Sequence, residues 1–191
     1  MNMPEAPSDK NLVLVGFMAS GKSTIGRKCA EALRFNFRDS DCVVERRAGK
    51  SVPAIFEEDG EAAFRKMEEE AIRDMARERR TVIATGGGAV MNSTSVARLR
   101  RRGYVILLWT DPDDILARCG SRMSRPLLAT AEDPRARIHQ LLADREPHYR
   151  AAAHMVVETA GLTRDEAVER VLAAYNTLNE SERRRSNPKH V

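Results

Sequence analysis

Directly behind the unbroken apolar run Leu12 to Val15 stands Gly16-Phe17-Met18-Ala19-Ser20-Gly21-Lys22-Ser23-Thr24. This stretch constrains the chain more than any other, because G-x-x-x-x-G-K-[ST] between a strand and a helix is a phosphate-cradling loop. Gly16 and Gly21 permit a tight turn whose successive N–H groups face one point, and a helix over Lys22 to Leu33 adds the positive end of its dipole. Lys22 has the reach for β- and γ-phosphates, and the Ser23 hydroxyl suits Mg²⁺. Ala19, Ser20 and Thr24 complete the loop. A nucleoside triphosphate is the implied ligand.

At 191 residues the chain suits one α/β domain with a full core. Met1 to Lys10 is polar with Pro4 and Pro7, and no apolar run reaches 18 residues, so neither a membrane span nor a secretory segment is expected. A soluble cytoplasmic protein follows as the expectation. Cys29, Cys42 and Cys119 are too widely spaced for a metal knuckle and read as reduced thiols. The formal charge is +4, with basic runs at Arg98 to Arg102, Arg118 to Arg125 and Arg183 to Arg185. Only 5% of residues are aromatic, so the stacking platforms of a nucleic-acid surface are lacking. Small phosphorylated or carboxylated ligands and solvated helix faces account for the arginines instead.

Along the chain, Asn11 to Val15 reads as a strand buried on both faces. Phe35 to Arg38 is a second strand ending at Asp39-Ser40-Asp41, where ligands gather in open α/β sheets. Helices are expected over Cys42 to Ala48, from a Ser51 N-cap to Asp59-Gly60, and from Glu61 to Arg79. The apolar stripe Phe64, Met67, Ala71, Ile72, Met75 turns Arg65 outward, as an ordinary exposed helix charge on periodicity alone. Thr81 to Thr85 is a third strand running into Gly86-Gly87-Gly88, where backbone can approach a ligand with no Cβ in the way. Tyr104 to Trp109 is the fourth strand. Asp111 reads as a helix N-cap rather than a metal ligand, since Asp39 and Asp41 lie nearer the loop. Residues 119–134 hold Gly120, Pro126, Pro134, Arg122 and Arg125, the composition of a mobile lid. Arg135 to Ala152, a strand at His154 to Glu158 and a helix at Thr163 to Leu178 follow. The expected fold is a three-layer α/β/α with a five-stranded parallel sheet. Residues 1–10 and the basic 179–191 are expected to be disordered tails around a single domain over 11–178.

Taken together, the loop, Asp39-Ser40-Asp41, Asp59-Gly60-Glu61 with Phe64-Arg65, Gly86-Gly87-Gly88-Ala89-Val90, Arg125-Pro126-Leu127-Leu128 and Arg145-Glu146-Pro147-His148-Tyr149 resemble the shikimate kinases. The likeness runs from Asn11 to about Tyr175. It implies a P-loop kinase fold with a substrate-binding segment near residues 41–70, and Mg²⁺-dependent transfer of the ATP γ-phosphoryl group to the 3-hydroxyl of shikimate, in the pathway to chorismate and aromatic amino acids. On that resemblance Asp41 orients the attacking hydroxyl, either as a general base that takes its proton or by orientation alone, and Asp39 sits beside the one Mg²⁺ that Ser23 ligates. Arg65 and Arg145 hold the shikimate carboxylate, and Gly86, Gly87 and Gly88 present N–H groups to it. Arg125 contacts the transferring phosphoryl group, and Arg118 lies over adenine. A monomer without nucleic-acid or membrane partners is implied. Two departures stand out: Thr85 leaves no carboxylate before the triple glycine, and Thr159-Ala160-Gly161-Leu162 lacks a Pro near adenine. The competing readings are another small-molecule kinase of this fold, such as a gluconate kinase, and a nucleotide-binding regulator without catalysis.

Overall fold

The computed structural model describes residues 9–118 and 133–186. Five parallel strands form one sheet in the order β2-β3-β1-β4-β5: β1 Asn11–Val15, β2 Asn36–Asp39, β3 Thr81–Ala84, β4 Gly103–Trp109 and β5 Met155–Glu158. Central β1 pairs Leu12 with Val82 on one side and with Tyr104 on the other. Its continuous apolar run follows from burial on both faces. Leu12 and Leu14 pack with Ile25 and Cys29 of α1 (Lys22–Leu33) and Val171 of α8 (Arg164–Ser186). Val13 and Val15 enter the opposite core. There they meet Phe64 and Ile72 of α4 (Gly60–Met75), Leu99 of α5 (Ser93–Arg102) and Tyr149 of α7 (Pro134–Ala152).

Helices α2 (Ser40–Ala48) and α3 (Val52–Glu58) carry the chain from β2 to α4, and a short 3₁₀ turn, Ala89–Met91, leads from β3 to α5. Helix α6 (Pro112–Arg118) begins after Asp111, whose Oδ1 accepts the Asp113 N–H at 2.9 Å, the capping role expected of it. Thr163 and Glu166 close a capping box at the start of α8, the Thr163 N–H donating to Glu166 Oε2 at 2.8 Å.

Three of the boundaries that differ from expectation have a visible cause. Helix α4 stops at Met75 rather than Arg79, and Arg80 turns into β3 with φ 51°. Strand β4 starts one residue early, at Gly103, where a Cβ would stand 2.9 Å from Val13 Cγ2. The final helix does not end at Leu178 with a disordered tail behind it but continues to Ser186. Glu182 fastens that extension, accepting a hydrogen bond from the Tyr104 hydroxyl and pairing with Lys10 at 3.1 Å. The expected lid, 119–134, falls almost wholly outside the described residues.

Candidate active site

The loop after β1 takes its shape from two glycines and one strained residue. Gly16 has φ 148°, and a Cβ there would stand 2.5 Å from the Leu108 carbonyl oxygen. Ala19 occupies the left-handed region at φ 59°, a conformation costing a non-glycine residue about 1 kcal/mol or more. Gly21, at φ 89°, is the N-cap of α1 and supplies no side chain to its first N–H groups. Those donors suit an anion. Lys22, 8% exposed, lays its ammonium back on the loop, donating to the Gly16 and Phe17 carbonyls at 2.8 and 2.6 Å. Beside the loop opens a cavity of about 740 Å³ walled by residues Ala19 to Thr24 and, across from them, Thr159, Leu162 and Thr163. The loop without a Pro therefore still forms the far wall.

At the carboxyl end of β2, Asp39 does two things at once. Its Oδ1 accepts the Asp41 N–H at 3.0 Å as the N-cap of α2, and its Oδ2 accepts from Ser23 Oγ at 2.5 Å. The cap aims the carboxylate at the loop. Ser23 and Asp39 together offer two hard oxygen donors, the right chemistry for a Mg²⁺ ion that takes its remaining ligands from water and phosphate. Among the described residues no group of three or more His, Cys, Asp or Glu could hold a metal alone. Thr85 Oγ1 is turned into the sheet, donating to the Leu14 carbonyl at 3.2 Å.

A second cavity, of about 180 Å³, lies between α2, α3, α4 and the triple glycine. Val52, Phe56 and Phe64 give it an apolar side, and Arg65, Glu68 and Arg145 a charged one. Arg65 does not stand free in solvent. Its Nε and Nη2 donate to Glu61 Oε1 at 3.2 and 2.9 Å, and its Nη1 to Glu68 Oε2 at 2.8 Å. Burial pushes the Glu68 carboxyl up from the usual range, against the pull of the neighbouring Arg65 and Arg145 guanidinium groups. Its other oxygen, Oε1, is buried without a hydrogen-bond partner. Arg145, 8% exposed on α7, lies 5.9 Å from the Phe17 ring centre. One turn on, the buried Tyr149 hydroxyl donates to the Gly87 carbonyl, and burial pushes its pKa up to about 12.

The glycines are explained by what presses on them. A Cβ on Gly86 would collide with Glu68 Oε1 and stand 2.7 Å from Asp41 Oδ1; one on Gly88 would meet the Arg65 guanidinium at 2.5 Å. The Gly86 N–H donates to Ser40 Oγ at 2.7 Å, so its donor is engaged inside the protein while the absent Cβ allows close approach. Asp41 and Gly87 line both cavities. They mark the junction between the phosphate loop and the smaller pocket.

A family model described as shikimate kinase matches residues 18–176. A shikimate kinase of Caldanaerobacter subterraneus subsp. tengcongensis is 47% identical over 169 residues, covering 88% of this chain and 98% of that protein. The chain belongs to the shikimate kinase family. Another member, from Methylococcus capsulatus, is 45% identical and covers 87% of this chain and 92% of its own. A solved shikimate kinase from Acinetobacter baumannii in complex with shikimate superposes with a TM-score of 0.86 at 36% identity, over 90% of this chain and 95% of that one. A gluconokinase from Sinorhizobium meliloti 1021, at 19% identity and a TM-score of 0.59, shares the fold alone. The expected family and fold are thus borne out.

Of the shikimate kinase positions expected from sequence, Lys22, Ser23, Asp39, Asp41, Arg65, Gly86 to Gly88 and Arg145 converge at the carboxyl ends of β1, β2 and β3. Arg125 and the side chain of Arg118 lie outside the described residues. Sequence reasoning gave no role to Ser40, Glu61, Glu68 or Tyr149. Glu68 carried a signal: four residues from both Phe64 and Ile72, it is a carboxylate inside the apolar stripe of α4, 3% exposed.

Proposed function

We propose that this kinase transfers the γ-phosphoryl group of ATP to the 3-hydroxyl of shikimate, giving shikimate 3-phosphate and ADP. One observation carries the reading of the site: Asp41 stands on the wall shared by the phosphate-loop cavity and a small pocket whose charged side holds Arg65 and Arg145. A ring carboxylate suits the planar arginine forks, which leaves a ring hydroxyl facing Asp41. The Asp41 carboxylate orients that hydroxyl and accepts its proton as the new O–P bond forms and the bond to the ADP oxygen breaks. Lys22 exchanges its loop carbonyls for phosphate oxygens. Ser23 and Asp39 would hold one Mg²⁺, which when bound supplies neutralising charge at the phosphates. Arg125 would add to that charge, and Arg118 would cover adenine. Little covalent work falls to the protein; alignment and charge are its contribution.

The proposal extends to a monomer in the cytoplasm, acting on small molecules without nucleic acid or membrane. Among the described residues no helix is long and apolar enough to cross a membrane. The test is ADP release from ATP and Mg²⁺ with shikimate, gluconate, quinate or no acceptor. Turnover with shikimate alone is expected. Turnover with gluconate, or with none of them while ATP still binds, would overturn the reading.

A further inference from the structure

The guanidinium of Arg65 is already engaged on two edges before any acceptor arrives. Nε and Nη2 both donate to a single oxygen, Glu61 Oε1, at 3.2 and 2.9 Å, and so occupy the edge on which an incoming carboxylate would form two parallel bonds. Nη1 is held by Glu68 Oε2 at 2.8 Å, and the Gly88 Cα lies so close that a Cβ there would stand 2.5 and 2.6 Å from Nη1 and Nη2. Of these neighbours only Glu61 can leave cheaply. Its side chain is 51% exposed, whereas that of Glu68 is 4% exposed and the Gly88 backbone is fixed between β3 and α5.

We infer that Glu61, which stands in the adjoining cavity that shares Arg65, Glu68, Gly88 and Arg145 with the acceptor pocket, is a charge-specificity determinant of that pocket: it occupies the side-on edge of Arg65 as a stand-in carboxylate that an anionic acceptor must displace. The inference rests on the reading that Arg65 receives the acceptor's carboxylate. Displacement costs every carboxylate the same free energy, so Glu61 sets how strongly the pocket favours anionic over neutral ligands. It leaves the ranking among carboxylates unchanged. With Arg65 so occupied, a simple carboxylate in solution gains little by entering, and only a ligand that also engages Arg145 and Asp41 does.

The test compares the full-length protein with Glu61→Gln, which keeps the shape and removes the charge. Three ligands are measured: shikimate as substrate, its neutral methyl ester, and cyclohex-1-ene-1-carboxylate, which keeps the carboxylate and lacks the hydroxyls, the last two as inhibitors. The KM for shikimate and the Ki of the cyclohexene carboxylate should fall together by about two- to five-fold, the range a half-exposed ion pair spans. The Ki of the methyl ester and the KM for ATP should hold. A KM for shikimate that stays or rises would mean that Glu61 steadies Arg65 instead of competing for it, and would overturn the proposal. So would a fall shared by the methyl ester, since the effect would then act on the ring. Arg65→Lys, run alongside, separates the two levels: if it leaves the KM for shikimate unchanged, the placement of the carboxylate on Arg65 is itself wrong, and the role of Glu61 goes with it.

Discussion

The backbone of Asp41 sets where this residue stands. Its N–H is captured by Asp39 Oδ1, which starts α2 at the end of β2 and points the following residue across the mouth of the triple glycine. Gly86 leaves room for it, since a Cβ there would come within 2.7 Å of Asp41 Oδ1. Asp41→Asn keeps the shape and loses both the charge and the proton acceptor. It should lower kcat by about 10²- to 10⁴-fold, with little change in ATP binding measured by calorimetry. Near-normal turnover would remove Asp41 from the reaction centre. At this scale the phosphate loop and the Asp39/Asp41 pair were legible because the chemistry fixes residue type and spacing together. Arg65 was not legible from periodicity, which separates core from everything else. The uncovered side of α4 faces a cavity rather than open solvent, and a helical stripe looks the same in both cases.

Elements are joined by single side chains whose protonation decides whether the joint holds. His154 stands where α7 turns into β5; its ring Nδ1 accepts the Val105 N–H at 2.9 Å, and its backbone N–H donates to the Val105 carbonyl at 2.7 Å. Only the neutral ring can accept. Burial, with the nearby Arg100 guanidinium, lowers its pKa from the usual value of about 6.5. The unfolded chain therefore binds this proton first, and the contribution of His154 to stability is complete above about pH 6.5 and is lost as the pH falls toward the lower folded value. Glu68, whose pKa is raised by burial, acts with the opposite sign, losing its contribution as the pH rises through its own window. The difference between proteins is thus the readout. His154→Asn offers an amide oxygen near the place of Nδ1 and cannot titrate, so its melting temperature should fall less than that of the parent between pH 7.5 and pH 5. Parallel melting curves for the two would show that the joint does not titrate. None of this was legible beforehand, because His154 read as the first residue of a strand and nothing local named its partner 49 positions away.

At the scale of the molecule, chemistry is confined to one end of the sheet. The parallel arrangement brings the ends of β1, β2 and β3 together, as expected of an open α/β sheet. The opposite end is held by the last helix. Its continuation to Ser186 was illegible because residues 179–186 are polar, and a polar stretch docks only if a distant partner exists for it. Here the partners are Tyr104, at the start of β4, and Lys10, just before β1, both closing on Glu182. Tyr104 is only 8% exposed and its contact with Glu182 is part-buried, so Glu182→Ala would remove the carboxylate to which its hydroxyl donates. The loss should be about 1 kcal/mol, since Glu182 itself is half exposed, and the melting temperature should drop by roughly 2–4 °C. In a Tyr104→Phe background, with no hydroxyl to donate, the same substitution should cost less, and this non-additivity is the signature of the contact. Steady-state kcat and KM should be unchanged in all three variants, because the phosphate loop and acceptor pocket lie at the far ends of the same strands. A drop in kcat would show that the two ends of β1 and β4 are coupled, with the docking of the final helix felt by the loop that follows Val15.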